Sequence, residues 1–147
     1  MIARTLLATC ILSMAVIAPL RADPVSDGIA ALAPSVQDVR TVGTWDKDGH
    51  KGVYRVVIDR SGPEPTARLF VQWLERKDDG TVSVVRNVDI KELVELKRNI
   101  GDFVVETDED GVSIFLELVD PADADAKESY ELFIGDEDSY RFGPASN

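Results

Sequence analysis

Four acidic clusters hold the densest potential chemistry in this chain: "WDKDGHKGV" (45–53), "RKDDGTVSV" (76–84), "ETDEDGVSIF" (106–115) and "GDEDSYRF" (135–142). An EF-hand ligates calcium with oxygens at alternating loop positions, a glycine at position six and a bidentate Glu at twelve. Counted from Glu106, the third cluster supplies Glu106, Asp108 and Asp110, then Gly111 at six and Glu117 at twelve. Three features oppose that reading. Position one carries Glu in place of Asp, and position eight carries Ser113 in place of an aliphatic residue. The flanks "DFVV" and "IFLELV" are strand-like where an EF-hand needs helices. In a strand, Glu117 lies about 20 Å along from the turn, too far to share an ion with Asp108. The first two clusters fail sooner, with Thr44 at the first ligand position of one and Lys77 at the third of the other. What remains is weak calcium capture, at the millimolar affinities of extracellular sites, by Asp46, Asp48, Asp108 and Asp110 if the turns converge at one rim. The competing account is simpler. Asp-Gly favours the positive-φ turns of tight hairpins, and nearby acids accept bonds from turn amides. No other cofactor is expected.

The remaining chemistry is sparse. His50 is the single histidine and falls in the first acidic turn, which leaves neither a His-rich zinc site nor a supported Ser-His-Asp arrangement. Carboxylate pairs will occur by chance among 27 acids, so they point to no reaction. The expectation is a protein that is not an enzyme. The aromatic residues suggest binding: Trp45 stands beside the first turn, and Trp73 sits in "FVQWLE" next to Gln72. An indole with amide and charged neighbours can stack on a ligand or anchor a partner. Arg55, Arg68, Arg76 and Arg86 recur over the same region and are expected to pair across strands with Asp59, Glu75 and Asp89. Trp45, Trp73, Gln72 and Arg55 are therefore the candidate binding residues.

These side chains need a frame, and the acidic clusters mark it. Each lies between two runs rich in β-branched and aromatic residues: 35–45 and 52–60, 67–76 and 81–88, 102–106 and 112–119, 128–134 and 139–142. In the sixth run Val112, Ile114, Leu116 and Leu118 alternate with Ser113 and Glu117, which puts one face in a core and one toward water. Val82, Val84 and Val88 read as one face of the fourth run, with Arg86 interrupting it. The fold class is thus mainly β, about eight antiparallel strands in sequential hairpins, as an open or half-closed sheet or sandwich or, alternatively, an up-and-down barrel. The last acids of the clusters, Asp48, Asp79, Asp110 and Asp138, lie 31, 31 and 28 residues apart, which reads as regular hairpin spacing. One short helix is predicted near 90–98, capped by Asp89 and covering one face of the sheet. A weaker one is predicted over 27–33, after Ser26. Segment 120–129, "DPADADAKES", reads as a mobile loop.

The N-terminus supplies an address. One Arg, an apolar run from Leu6 to Leu20 and then Arg21-Ala22 have the layout of a secretory signal peptide, with cleavage near Ala22. The apolar run is short of the roughly 20 residues that span a bilayer. Removing 1–22 leaves 14 basic against 27 acidic residues, and takes away Cys10, the single cysteine. Disulfides are therefore not expected in the mature chain. So strong an acidic balance excludes nucleic acid and anionic membrane surfaces, which demand a positive face. The expectation is a periplasmic or secreted single β-rich domain, residues 23–147, acting as a binding or envelope accessory module for a protein partner or small ligand. The alternatives are a carrier with a β-barrel cavity and a weak calcium-binding domain.

Overall fold

The computed structural model describes residues 23–61, 66–135 and 139–146. The expected signal peptide with Cys10, most of the Pro-rich loop "SGPEPT" and Asp138 of the fourth acidic cluster lie outside the described residues. The described residues fall into two units, 23–32 and 33–146. In the first, α1 (Pro24–Ala30) starts three residues before the predicted helix at 27–33, and it has no buried residue. Asp23 supplies the earlier cap, its carboxylate accepting from the Val25 amide at 3.1 Å, and Pro24 is preset for the first turn.

All strands belong to the second unit. The first sheet runs β1 (Val36–Lys47), β2 (His50–Asp59), β3 (Arg68–Arg76), β4 (Val82–Asp89), and the second runs β5 (Asn99–Thr107), β6 (Gly111–Asp120), β7 (Asp123–Gly135), β8 (Tyr140–Pro144). Each is an antiparallel meander in chain order. Eight antiparallel strands are as expected, and they form two four-stranded sheets that do not close into a barrel. The inward residues of β2 and β3, Val56, Ile58, Leu69 and Val71, join those of β6 and β7, Ile114, Leu116, Leu118, Leu132 and Ile134, in one core. Burying each such side chain contributes about 1.5–3 kcal/mol. Further links tie β1 and the residue after β2 to the second sheet. The Arg40 guanidinium lies 4.1 Å over the Phe103 ring, and Arg60 donates to the Ile100 carbonyl at 2.8 Å.

Helix α2 (Lys91–Leu96) corrects two expectations. Ile90, not Asp89, occupies the cap position and offers no side-chain cap, because Asp89 ends β4 with its carboxylate held by Arg68 at 2.5 Å. Nor does the helix cover the outer face of a sheet. Ile90 and Leu93 are fully buried in the core shared by the inner faces, so α2 completes that core. Lys97, in the left-handed region at φ 53°, ends it. The expected mobile loop at 120–129 is also corrected: β7 begins at Asp123, Lys127 pairs in register with Val119 and its amine reaches Glu117 at 2.9 Å. Alanine and acidic residues are poor strand formers, but β6 beside them offers an edge whose ladder overrides propensity.

Two one-residue bulges decide which side chains face out. Gly43, at φ +49°, is the extra residue between the pairs Val42↔Tyr54 and Thr44↔Val53. A β-carbon there would collide with a Val112 methyl, so the position needs glycine twice over. Val85 is the extra residue between Trp73↔Arg86 and Leu74↔Val84. It overturns the expected shared face of Val82, Val84 and Val88: Val88 packs on the core, whereas Val82 and Val84 sit opposite Arg76 and Leu74 on the outer side.

Candidate functional site

The outer face of the first sheet can be read strand by strand from its pairing. Thr41, Arg55, Gln72 and Asn87 form one row, and Thr44, Val53, Leu74 and Val84 form the next toward the acidic turns. The first row is a polar ladder. Arg55 Nε donates to Gln72 Oε1 at 2.7 Å, and Gln72 Nε2 donates to Asn87 Oδ1 at 3.0 Å. Thr44, Val53 and Leu74 of the second row line a cleft of about 460 Å³ together with Trp45 and Val82. That volume lies within the roughly 300–1,000 Å³ of small-molecule sites. Val82 and Val84, on the outer side of the edge strand β4, are each about half exposed, at 46% and 47%, where natural edges usually carry charge.

Trp45 is placed by the Gly43 bulge, which sets it opposite Gly52. The indole covers that glycine and donates Nε1–H to the Val53 carbonyl at 3.3 Å. Half-buried, it borders the outer cleft and also a smaller hollow with Trp73, His50 and Arg86. Charge rims the outer cleft: Lys51, Arg76 and Lys77, with Asp46 and Asp78. Asp79, in the same β3–β4 turn, is held below the usual carboxylate range by hydrogen bonds from the Thr81 hydroxyl and amide, the amide at 2.8 Å. At the far end of the face, the Ser35 and Ser61 hydroxyls likewise lower the pKa of Asp59, which is buried, with Ser61 Oγ at 2.6 Å.

Of the four candidate binding residues, Arg55 and Gln72 meet on the outer face and Trp45 lines the cleft, whereas Trp73 is in the core at 2% exposure. Its ring meets Tyr54 edge-on at 5.4 Å and carries the Arg86 guanidinium at 4.6 Å. Among the four arginines expected to pair across strands, Arg68 pairs with Asp89 as anticipated; Arg55 binds an amide and Glu75 is taken by His50 at 2.5 Å. The candidate calcium ligands divide between two hairpins of different sheets, Asp46 and Asp48 at β1–β2 and Asp108 and Asp110 at β5–β6. Asp108 Oδ1 accepts from the amides of Asp110 and Gly111 at 2.9 and 3.0 Å, the work of a turn residue. Among the described residues, no three His, Cys, Asp or Glu side chains gather as a metal site. Lys51, Val53, Leu74, Arg76, Lys77 and Val82 are not among the binding residues expected from sequence. Bulky residues on both faces of β3, Phe70 and Leu74 against Leu69 and Val71, were the available signal. No known family, curated protein or solved structure matches this chain.

Proposed function

We propose that the protein is an exported, periplasmic binding module that takes its ligand on the outer face of the first sheet, at the Trp45 end. The cleft of about 460 Å³ carries this reading: Val53, Leu74 and Val82 form an apolar lining on a face outside the core, and Trp45, which also packs against the core, borders it. Ligand sites combine such linings with a few polar groups that fix orientation, and the Arg55–Gln72–Asn87 ladder supplies them one row away. Binding on an open sheet face replaces the barrel cavity as the place for a carrier's cargo, because the space between the sheets is filled by side chains. Export is supported by the N-terminal pattern of Arg4, the apolar run and Arg21-Ala22.

The test is amide chemical-shift mapping against a library of small fragments. Hits should shift residues 44–53 and 74–82 together with the Trp45 indole N–H. Hits confined to the second sheet would overturn the site. Export is checked by N-terminal sequencing of the cellular protein, expected to begin at Asp23; an intact Met1 terminus in the cytoplasm would refute it.

A further inference from the structure

Resting on that reading, we infer that the ligand of the outer cleft is a small amphiphilic carboxylate, an acyl or aryl chain ending in one anionic group. The chain contains 16 Lys and Arg against 27 Asp and Glu. Arg40, Arg68, Arg98 and Lys127 each lie within 4 Å of a carboxylate. Lys51, Arg76 and Lys77 do not: among the described residues none of the three forms an ion pair, yet all three line one cleft. They outnumber the two acids there, Asp46 and Asp78, on a molecule whose net charge is −11. The local sign is therefore opposite to the global one at a position where apolar side chains also line a hollow.

The two halves of the site ask for two halves of a ligand. An apolar chain laid over Val53, Leu74 and Val82 is removed from water, and its anionic end reaches the rim, where the Arg76 fork can take both oxygens of a carboxylate and Lys51 and Lys77 add point charges. A cationic amphiphile would bring its charge against those three bases. A large acidic protein would bring many charges against a chain that is acidic almost everywhere else, and the cleft volume suits a small molecule.

The experiment compares octanoate, octan-1-ol and octyltrimethylammonium, titrated into the full protein and followed by the Trp45 indole N–H and the amides of 44–53 and 74–82. Octanoate should bind about tenfold tighter than the alcohol, the factor one charge-assisted hydrogen bond supplies. Its affinity should fall with added salt while the alcohol's does not. Arg76→Gln with Lys77→Gln, both exposed side chains at the turn end of β3, should bring octanoate to the alcohol's affinity and leave the rest of the spectrum in place. Lys51→Gln provides the independent check from β2. Equal binding of octanoate and octanol at the cleft would overturn the carboxylate while leaving the binding site standing. Preference for the ammonium compound would overturn it by sign. If no member of the series shifts the cleft, the carboxylate proposal falls, and the fragment mapping alone then decides the site itself.

Discussion

Gly52→Ala is the sharpest test of how the cleft is built. Gly52 lies opposite Glu75 on β3 and Trp45 on β1. A β-carbon on its backbone would overlap the Leu74 carbonyl oxygen, stand 2.8 Å from the Leu74 carbonyl carbon and touch the Trp45 indole at 3.0 Å. The first two atoms are backbone, held in the β2–β3 ladder through the neighbouring pair Val53↔Leu74. They cannot swing aside as a side-chain tip would. Relief requires the strands to part, which strains or breaks ladder hydrogen bonds and lifts the indole from its bond to the Val53 carbonyl. Overpacking of this kind costs about 1–3 kcal/mol, and a clash with backbone belongs at the upper end. For a unit of this size each kcal/mol lowers the melting temperature by roughly 4 °C, so a fall on the order of 8–12 °C is expected. Gly143→Ala is the control, since nothing lies within 4 Å of its added carbon and no positive φ is involved. Circular dichroism melts of both variants and the wild type, with the Trp45 N–H resonance as local probe, make the measurement. A Gly52→Ala protein that melts with Gly143→Ala and keeps its indole resonance would refute this account of the cleft.

Four other outcomes follow from the same geometry. Asp59→Asn should cost about 1.5–3 kcal/mol at pH 7 in urea melts, the worth of hydrogen bonds to a charged group. Because the hydroxyl bonds lower the Asp59 pKa from the ordinary 3.8, its stabilisation is present above that value and lost as pH falls through the folded-state pKa. The variant should therefore lose less stability on acidification than the wild type, and an identical acid dependence would contradict the role assigned to Asp59. Leu132→Ala, at a fully buried site, should cost about 2–5 kcal/mol, whereas Val104→Ala, 59% exposed, should stay within about 0.5 kcal/mol. In Trp45→Phe the remaining emission comes from Trp73, and acrylamide should quench it weakly; strong quenching would place that ring outside the core. Calcium should raise the melting temperature no more than magnesium at matched ionic strength, since ions screen the charge of so acidic a chain alike unless a specific folded-state site exists.

Alternation made the frame readable. On β6, Val112, Ile114, Leu116 and Leu118 are buried, and Ser113 and Glu117 lie on the other face, as period-two patterning requires. The Asp-Gly turns fall at β1–β2, β3–β4 and β5–β6 for the same local reason, with positive φ at Gly49, Gly80 and Gly111. Reading failed where a distant partner decided. Residues 123–129 look like a loop until β6 offers them a ladder, and Asp89 looks like a helix cap until Arg68 takes its carboxylate. The site was legible in part: Trp45, Gln72 and Arg55 stand on or beside the outer face, and Trp73 does not.

By itself, the order of residues determined the strand number, the hairpin turns, the mainly β class and the strong acidity, because each depends on contacts or charges that are local or additive along the chain. Tertiary structure alone decided the division into two sheets, the filling of their interior and the placing of the cleft. The bulges at Gly43 and Val85 show why. One extra residue turns every later side chain of a strand to the other face, and whether the extra residue is accommodated depends on Tyr54, Trp73 and Val112 in other strands. Val82 and Val84 therefore line an open surface, and Lys51, Arg76 and Lys77 meet there from two strands and a turn, through a pairing register that no single segment contains.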